Sequence, residues 1–222
     1  MSQEKLREAE AIAVKLFEKI EELGLISAGK TEKELNEEIF KVADESFGIK
    51  KHWHKRIVRS GSNTLYPYYE NPPNLTLQED DILFFDFGPI LDEWEADLGR
   101  TYVIGNNPDK LRLKNDIEHT WHAIKNWFDQ QEDVTGSELY KIALGYAERF
   151  GWEFGGEMAG HIIGQFPHEK LDPNQYDLYI HPDNHKSLMA LDKNGKKRSW
   201  ILEVHFVDSQ KEIGGFYEQL LT

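Results

Sequence analysis

The order of the expected elements limits the fold of this chain more than any other feature of its sequence. Two helices followed by two strand-like runs occur twice. The second and fourth helices each begin at a capping box, Thr31–Glu34 and Thr135–Glu138, whose side chains satisfy free backbone N–H groups. Each of these helices ends at a glycine, Gly48 or Gly151, which readily adopts the left-handed conformation of a helix terminus. The repetition predicts an internal duplication.

The first and third helices have apolar residues spaced three and four apart, which is the pattern of an amphipathic helix. In the first helix these residues are Leu6, Ala9, Ala13, Leu16, Ile20 and Leu23, and the third helix is predicted from about Pro108 to Phe128. We therefore expect an α+β protein with a single domain over residues 1–222. Its two α-α-β-β halves, about 1–105 and 106–222, should be related by a pseudo-twofold axis.

The run Ile82–Phe87 is apolar on both faces except at Asp86, as expected of a central strand that is buried on both sides. An ionised carboxylate in such a strand costs free energy unless it is paired or binds a cation. The same holds for Glu203 in the run Trp200–Val207. For Asp86 taken alone, a salt bridge to Arg100 or a position on an edge strand would be a sufficient explanation.

Four carboxylates and one imidazole together point to a metal centre. They are Asp86, Asp97, His161, Glu203 and Glu218. Several oxygen ligands and one nitrogen suit two hard-to-borderline divalent cations, and manganese, iron, cobalt and zinc all match this set. Two such ions, roughly 3.5–4 Å apart, activate water and stabilise a tetrahedral intermediate. The sequence thus predicts a dinuclear metallohydrolase.

Composition narrows the class further. The chain has no cysteine, which excludes disulfides and thiolate metal sites, and its formal charge of −14 argues against a nucleic-acid partner. No apolar run reaches the roughly 18 residues of a membrane span, and the charged amphipathic N-terminus does not resemble a signal peptide. We therefore expect a cytoplasmic protein without a membrane partner.

Two segments are predicted to be irregular. Residues 54–77 contain proline, glycine, tyrosine and asparagine and are interpreted as a loop that faces the substrate. Residues 169–199 are polar and rich in turn signals, among them Asn194-Gly195. A long segment of this kind between two metal ligands is a candidate specificity loop or lid.

The ligand order Asp, Asp, His, Glu, Glu resembles that of the pita-bread metallopeptidase superfamily, which includes methionine aminopeptidase, aminopeptidase P, prolidase and creatinase. The resemblance covers essentially the whole chain and implies a central antiparallel sheet. It also implies that Asp86 binds one metal through both of its oxygens and that Asp97 and Glu218 bridge the two metals. His161 and Glu203 would complete the coordination of the other metal. The motif Asp97–Thr101 resembles aminopeptidase P and prolidase more than methionine aminopeptidase.

The resemblance also assigns catalytic roles. His168, seven residues after His161, matches the position that contacts the substrate and stabilises the oxyanion. Glu203 is expected to transfer a proton to the leaving amine. Family peptidases carry a histidine roughly seventeen residues before the first aspartate, where this chain has the tyrosine-rich stretch 65–69. Tyr66 and Tyr68 are therefore expected to contact the substrate.

Two further family positions differ in this chain. A histidine four residues before the metal-binding one is replaced by Glu157, and the proline that often follows the fourth ligand is replaced by Val204. These departures bear on the substrate and leave the five metal ligands unchanged.

The remaining histidines receive simpler interpretations. His205 shares a strand face with Glu203 by parity, so we expect it near the substrate or the metal ligands. His52 and His54 have a spacing that could hold a metal, as do His119 and His122. We interpret both pairs as ordinary loop and helix histidines, because no second carboxylate partner is apparent.

Three functions follow from this pattern. The first is an exopeptidase, of the aminopeptidase or Xaa-Pro dipeptidase type, that hydrolyses the N-terminal peptide bond of a peptide. The second is a creatinase-like hydrolase that cleaves a non-peptide C–N bond in a small amide, and the third is a catalytically silent binding module with the same fold. Family analogy adds a homodimer as a further expectation.

Overall fold

The computed structural model describes residues 2–222, which form four α-helices and nine β-strands. The helices are α1 (Ser2–Glu22), α2 (Glu32–Phe47), α3 (Pro108–Phe128) and α4 (Gly136–Phe150). The strands are β1 (Ile57–Ser60), β2 (Asp81–Phe87), β3 (Ile90–Leu91), β4 (Trp94–Glu95), β5 (Leu98–Ile104), β6 (Glu153–Phe154), β7 (Ile162–Ile163), β8 (Ser199–Asp208) and β9 (Ile213–Leu220). None of the helices described is long and apolar enough to cross a membrane.

Local sequence signals account for the helix boundaries. The side chain of Thr31 accepts a hydrogen bond from the backbone N–H of Glu34, and the Glu34 carboxylate accepts one from the Thr31 backbone, so the predicted capping box is confirmed. The second capping box, at the start of α4, has the same contacts. Gly48 and Gly151 end α2 and α4 with φ of 67° and 77°, a conformation that glycine adopts at little cost.

One antiparallel sheet joins the two halves of the chain. Its strand order is β1-β2-β5-β9-β8-β6, with β7 also pairing with β8. The strands of residues 1–105 thus lie on one side and those of residues 106–222 on the other, and β5 meets β9 between them. The expected fold class, an α+β protein with a central antiparallel sheet, is confirmed. The pseudo-twofold relation of the halves stays a prediction.

All four helices cover the same face of this sheet. Along β2, Leu83, Phe85 and Phe87 pack with apolar residues of α1 and α2. Along β8, Leu202 and Val204 pack with those of α3 and α4. Because successive strand residues point to opposite faces, the residues between them, including Asp86 and Glu203, point away from the helices. Asp86 and Glu203 therefore lie on the face that the helices leave free.

The segment 54–77 is more regular than predicted. It contains edge strand β1 and a 3₁₀ turn over Gly61–Leu65. The prediction of a wholly irregular loop was wrong because β1 is short and is interrupted by a charge at Arg59. This arginine is buried, and its guanidinium donates to the backbone carbonyls of Tyr66 and Glu70, which compensates for its burial.

The pairing of the central strands sets three carboxylates in one row. Asp86 pairs with Gly99, Gly99 with Glu218, and Glu218 with Glu203. Directly paired residues share a face of an antiparallel sheet, so these carboxylates point the same way. Gly99 leaves room in the middle of the row: a Cβ atom there would lie 2.5 Å from the ring of Phe216 and 2.9 Å from Cβ of Glu218.

Gly99→Ala is expected to lower the free energy of unfolding by about 1–3 kcal/mol, because the added methyl group overpacks a buried position. Urea denaturation of the metal-free protein measures this effect. Gly145→Ala is the matched control, because no atom lies within 4 Å of the Cβ position at this site in α4. The control should be neutral or more stable than the parent, and equal stability of both variants would contradict the proposed crowding at Gly99.

Candidate metal centre

The five residues singled out as metal ligands converge at one place on the free face of the sheet. Asp86 lies on β2, Glu203 on β8 and Glu218 on β9, while Asp97 immediately precedes β5 and His161 immediately precedes β7. Nε2 of His161 lies 3.3 Å from Asp97 Oδ2, 3.5 Å from Glu203 Oε1 and 3.9 Å from Glu218 Oε1. Residues up to 132 positions apart (86 to 218) therefore form one cluster.

The geometry of this cluster fits divalent cations. Two groups of three residues each have ligand atoms within 4.8 Å of one another: His54, Asp86 and Asp97 in one group, and Asp97, His161 and Glu218 in the other. Asp97 belongs to both groups. Oε2 of Glu218 is buried without a hydrogen-bond partner, an unusual cost for a carboxylate oxygen and one that a bound cation would remove. The donor set of oxygens and imidazole nitrogen suits divalent metal ions.

The pKa values of the carboxyl groups in the metal-free cluster show that it favours positive charge. Burial raises the pKa of Asp86 to about 6 and that of Glu203 to about 7. Burial and the nearby carboxylates of Asp97 and Asp86 raise the pKa of Glu218 well above its usual value. Burial alone would also raise the pKa of Asp97, but the neighbouring imidazoles, first that of His54, hold it down at about 2. The cluster thus favours positive charge, whether it is supplied by protons or by cations.

These shifts predict how the stability of the metal-free protein depends on pH. The unfolded chain loses the Glu203 proton near pH 4.5, whereas the folded protein keeps it up to about pH 7. Burial opposes the charged imidazole of His161, yet Asp97 and Glu203 outweigh it and raise its pKa from 6.5 to about 9. The folded state binds more protons at these two groups. His52 and His205, whose pKa values are lowered by burial, bind more protons in the unfolded state and oppose this trend below about pH 6.5. The free energy of unfolding should therefore fall as pH rises from about 6.5 to about 9.

Thermal denaturation with a chelator present, at several pH values, measures this dependence. Added divalent metal at pH 8 should raise the melting temperature, because an ion that binds only the folded protein stabilises it. Between about pH 5 and 7, Glu203→Gln should lose less stability with rising pH than the parent, because the amide does not titrate. Rising stability of the chelated parent between about pH 6.5 and 9 would contradict the prediction.

The structure adds a histidine to the cluster that the sequence analysis had set aside. His54, from the segment between α2 and β1, has Nε2 3.0 Å from Asp97 Oδ1 and 3.5 Å from Asp86 Oδ1. The interpretation of His54 as an ordinary loop histidine was therefore wrong. Its carboxylate partners lie 43 and 32 residues away along the chain (54 to 97 and 54 to 86), so no local pattern reveals them.

Its neighbour His52 lies outside the cluster. The ring of His52 contacts Phe40 and Phe87, with centroids 6.0 and 6.3 Å away. Burial lowers the pKa of this imidazole to about 3. The two histidines of the His-Trp-His segment thus have different surroundings.

His168 stands beside the cluster and is held by a second residue that the sequence analysis missed. Its Nδ1 lies 2.6 Å from Oε2 of Glu95, whose carboxylate also accepts the backbone N–H groups of Gly164 and His168. A carboxylate only accepts, so Nδ1 is the donor and Nε2 is left available. That Nε2 is buried and has no hydrogen-bond partner. A substrate atom could therefore bind it.

Trp53 contacts all three imidazoles of the site. Its ring packs edge-on against His54, His161 and His168, with ring centroids 4.4, 5.5 and 5.1 Å away. The indole Nε1–H donates to the carbonyl of Ala96 at 3.1 Å. The tryptophan thus fixes the spacing between His168 and the metal cluster.

Of the tyrosines predicted to contact the substrate, Tyr68 packs against a histidine of the cluster. The centroid of its half-exposed ring is 5.7 Å from that of His54, and its hydroxyl accepts the Lys55 N–H at 3.3 Å. Tyr66 and Tyr69 are exposed, and the Tyr66 carbonyl accepts from Arg59. The contacts of Tyr66 and Tyr68 with substrate stay predictions.

His205 lies on the face of β8 that carries Glu203, but its surroundings are those of a packed core residue. Its ring contacts Phe84 and Phe216, and its Nε2 lies 2.8 Å from the Thr64 carbonyl. Burial lowers the pKa of this imidazole to about 4. A substrate contact at this residue stays a prediction.

Arg100 contacts the backbone around Glu218 instead of a ligand carboxylate. Its guanidinium donates to the carbonyls of Gly99 and Glu218, each at 2.8 Å, and to the side chain of Gln219. It also stacks on the ring of Tyr217 at 3.8 Å. The arginine therefore fixes the junction of β5 and β9, from which Glu218 projects.

The segment 169–199 folds back onto the molecule. Leu178, Ile180 and Leu188 belong to the core that α3 and α4 cover. Tyr179 forms a β-bridge with His161, next to the metal cluster. This part of the segment is therefore anchored in the core, and its role in specificity stays a prediction.

Fold and site together define a metal-binding protein of the pita-bread class. The sequence profile of metallopeptidase family M24 matches residues 4–193, so the chain belongs to this family. The chain is 28% identical over 147 residues to a protein named Xaa-Pro dipeptidase from Lactobacillus helveticus. That alignment covers 65% of this chain and 39% of the relative.

Solved structures show the same fold. A prolidase from Thermococcus sibiricus superposes with a TM-score of 0.77 at 22% identity, over 100% of this chain and 58% of the prolidase. A methionine aminopeptidase from Rickettsia prowazekii gives a TM-score of 0.72 at 16% identity, over 97% of this chain and 90% of that protein. The chain thus spans about three fifths of the prolidase but most of the methionine aminopeptidase.

Proposed function

We propose that this chain is a metal-dependent exopeptidase that hydrolyses the N-terminal peptide bond of a peptide, of the aminopeptidase or Xaa-Pro dipeptidase type. The observation that carries the proposal is the cluster of Asp86, Asp97, His161, Glu203 and Glu218 on the free face of the sheet. The unpartnered Nε2 of His168 beside this cluster supports it. Membership of the metallopeptidase family M24 points to the same reaction class.

The proposed chemistry assigns one task to each group. Two divalent ions, when bound, polarise the scissile carbonyl and lower the pKa of water towards neutrality. His168, held through Nδ1 by Glu95, presents Nε2 to the carbonyl oxygen and, in its protonated form, donates a hydrogen bond to the developing oxyanion. Glu203 has the most exposed side chain of the four carboxylates, at 19%, so it can pass a proton to the leaving amine.

The acidic residues of the site suit a peptide with a free N-terminus as substrate. Their carboxylate oxygens can accept hydrogen bonds from an α-amine. Tyr68 is half-exposed beside His54, and in this proposal it contacts the residue at the scissile bond.

A panel of Met-Xaa and Xaa-Pro dipeptides and tripeptides tests the proposal. The protein is stripped of metal and assayed with and without manganese, cobalt, iron or zinc. Cleavage of one peptide class that returns only with added metal is the expected result. Stoichiometric metal binding without cleavage of any peptide or amide would instead support a silent binding module.

One observation favours a second candidate, a creatinase-like hydrolase of a non-peptide C–N bond. The tyrosine-rich stretch 65–69 replaces the histidine that family peptidases use near the scissile amide, and Tyr68 is the residue of this stretch beside the cluster. A phenol transfers protons less readily than an imidazole near pH 7. Small amides and amidines belong in the same assay, and their selective hydrolysis would favour this candidate.

A further inference from the structure

His54 occupies a position that a metal ligand would take. Its side chain is 8% exposed, and its Nε2 lies 3.0 Å from an oxygen of Asp97 and 3.5 Å from an oxygen of Asp86. The same three side chains form one of the two groups whose ligand atoms lie within 4.8 Å of one another.

The second nitrogen of His54 is bound in the way typical of a metal-ligating histidine. Its Nδ1 lies 2.7 Å from the carbonyl of Lys55, the next residue in the chain. His161 has the same arrangement, with Nδ1 2.8 Å from the carbonyl of Ile162. A carbonyl only accepts, so in both rings Nδ1 carries the hydrogen and Nε2 faces the carboxylates. Ligating histidines commonly donate their other N–H to a carbonyl, which orients the ring.

The backbone at Gly88 leaves just enough space for the His54 ring. A Cβ atom at residue 88 would lie 2.2 Å from the His54 ring and 2.4 Å from the Trp53 indole, so only glycine fits there. The backbone N–H of Trp53 donates to the carbonyl of Gly88 at 2.9 Å, which joins the His54 segment to the end of β2. The orientation of His54 is thus set by the fold.

We propose that His54 is a sixth protein ligand, which binds the ion on the Asp86 side through Nε2. The inference rests on the metal centre of the proposed function and extends it. Each half of the chain would then supply one imidazole, His54 from residues 1–105 and His161 from residues 106–222. The ion on the Asp86 side would have a nitrogen donor in place of an all-oxygen set, and imidazole favours zinc, cobalt and iron over manganese.

Cobalt(II) bound to metal-free protein tests the proposal without reference to activity. A cobalt-bound imidazole shifts the resonance of its exchangeable Nδ1–H far outside the usual proton NMR range. The parent protein with two equivalents of cobalt should show two such signals, one from His54 and one from His161. His54→Ala and His161→Ala should each lack a different one of these signals.

Calorimetric titration with cobalt gives the second readout. His54→Ala should weaken one of two binding steps by more than about 100-fold, beyond the 10–100-fold typical of losing an outer contact to a ligand. His54→Gln is a second variant that keeps more of the side-chain volume, and it should show the same loss. His52→Ala, two residues earlier, should keep both binding steps and both shifted signals.

The outcomes separate this proposal from the metal centre itself. A single shifted signal in the parent, lost only in His161→Ala, together with unchanged cobalt affinity in His54→Ala, would mean that His54 is an ion-pair partner of the aspartates. Absence of cobalt binding by the parent would instead overturn the whole metal centre and this proposal with it.

Discussion

Replacing Asp97 with alanine is expected to abolish metal-dependent hydrolysis. Asp97 is the one carboxylate that belongs to both three-residue groups of the cluster. In the proposed two-ion centre, its loss would therefore remove a ligand from both ions. Without the ions, the pKa of water is not lowered towards 7, and kcat/KM should fall by at least about 10³-fold. Peptide hydrolysis at saturating metal, together with the metal content of the purified variant, measures the effect.

His161→Ala is the control variant for this prediction. His161 belongs to only one of the two groups, so its loss should spare part of the metal binding. Asp97→Ala should therefore hold less metal than His161→Ala. Circular dichroism of both variants checks that the fold is retained. Normal metal content and full activity in Asp97→Ala would refute the assignment of Asp97 as the shared ligand.

Replacing His168 with alanine should reduce kcat by about 10²–10³-fold while metal binding is retained, the loss typical for removal of one oxyanion donor. The imidazole is not among the residues of either metal group, and its free Nε2 lies beside them. The expected signature is a fall in kcat with little change in KM, because the hydrogen bond forms mainly in the transition state. Steady-state kinetics and cobalt titration measure the two quantities separately.

Glu95→Gln tests whether the orientation of His168 matters for catalysis, because this variant keeps the imidazole but changes the residue that orients it. The amide is close in size to the carboxylate, but it carries no charge and can donate towards Nδ1, which disturbs the orientation and tautomer of the ring. A loss in kcat of about 10–100-fold, smaller than that of His168→Ala, is expected. Equal activity of Glu95→Gln and the parent would show that the pair has no part in catalysis.

Much of the fold could be predicted because its signals are local. The capping boxes at Thr31 and Thr135 and the glycines at 48 and 151 act within one helical turn, and the structure confirms them. Edge strand β1 was missed because its four residues include the buried Arg59, whose partners are backbone carbonyls that a sequence does not display. A short run with a charge has too few apolar residues to predict a strand.

The acidic residues of the cluster could be singled out for a different reason. Asp86, Glu203 and Glu218 interrupt apolar strands, where an ionised group needs a partner, so each is conspicuous in the sequence alone. His54 and Glu95 lack such a signal, because His54 lies in a polar segment and Glu95 in a turn-rich one. Their roles depend on Asp97, 43 residues from His54, and on His168, 73 residues from Glu95 (54 to 97 and 95 to 168).

The sequence by itself determined the helix pairs and the central strands. It also determined which acidic residues lie in those strands and therefore need positive charge nearby. Helix caps and apolar periodicity depend on neighbours a few residues away, and the cost of burying a charge is a property of the residue and its strand. Only the tertiary structure decided which other side chains reach the cluster. That choice depends on strand register and on the packing of Trp53 and Gly88, through which residues far apart in sequence bring two histidines to the same aspartate.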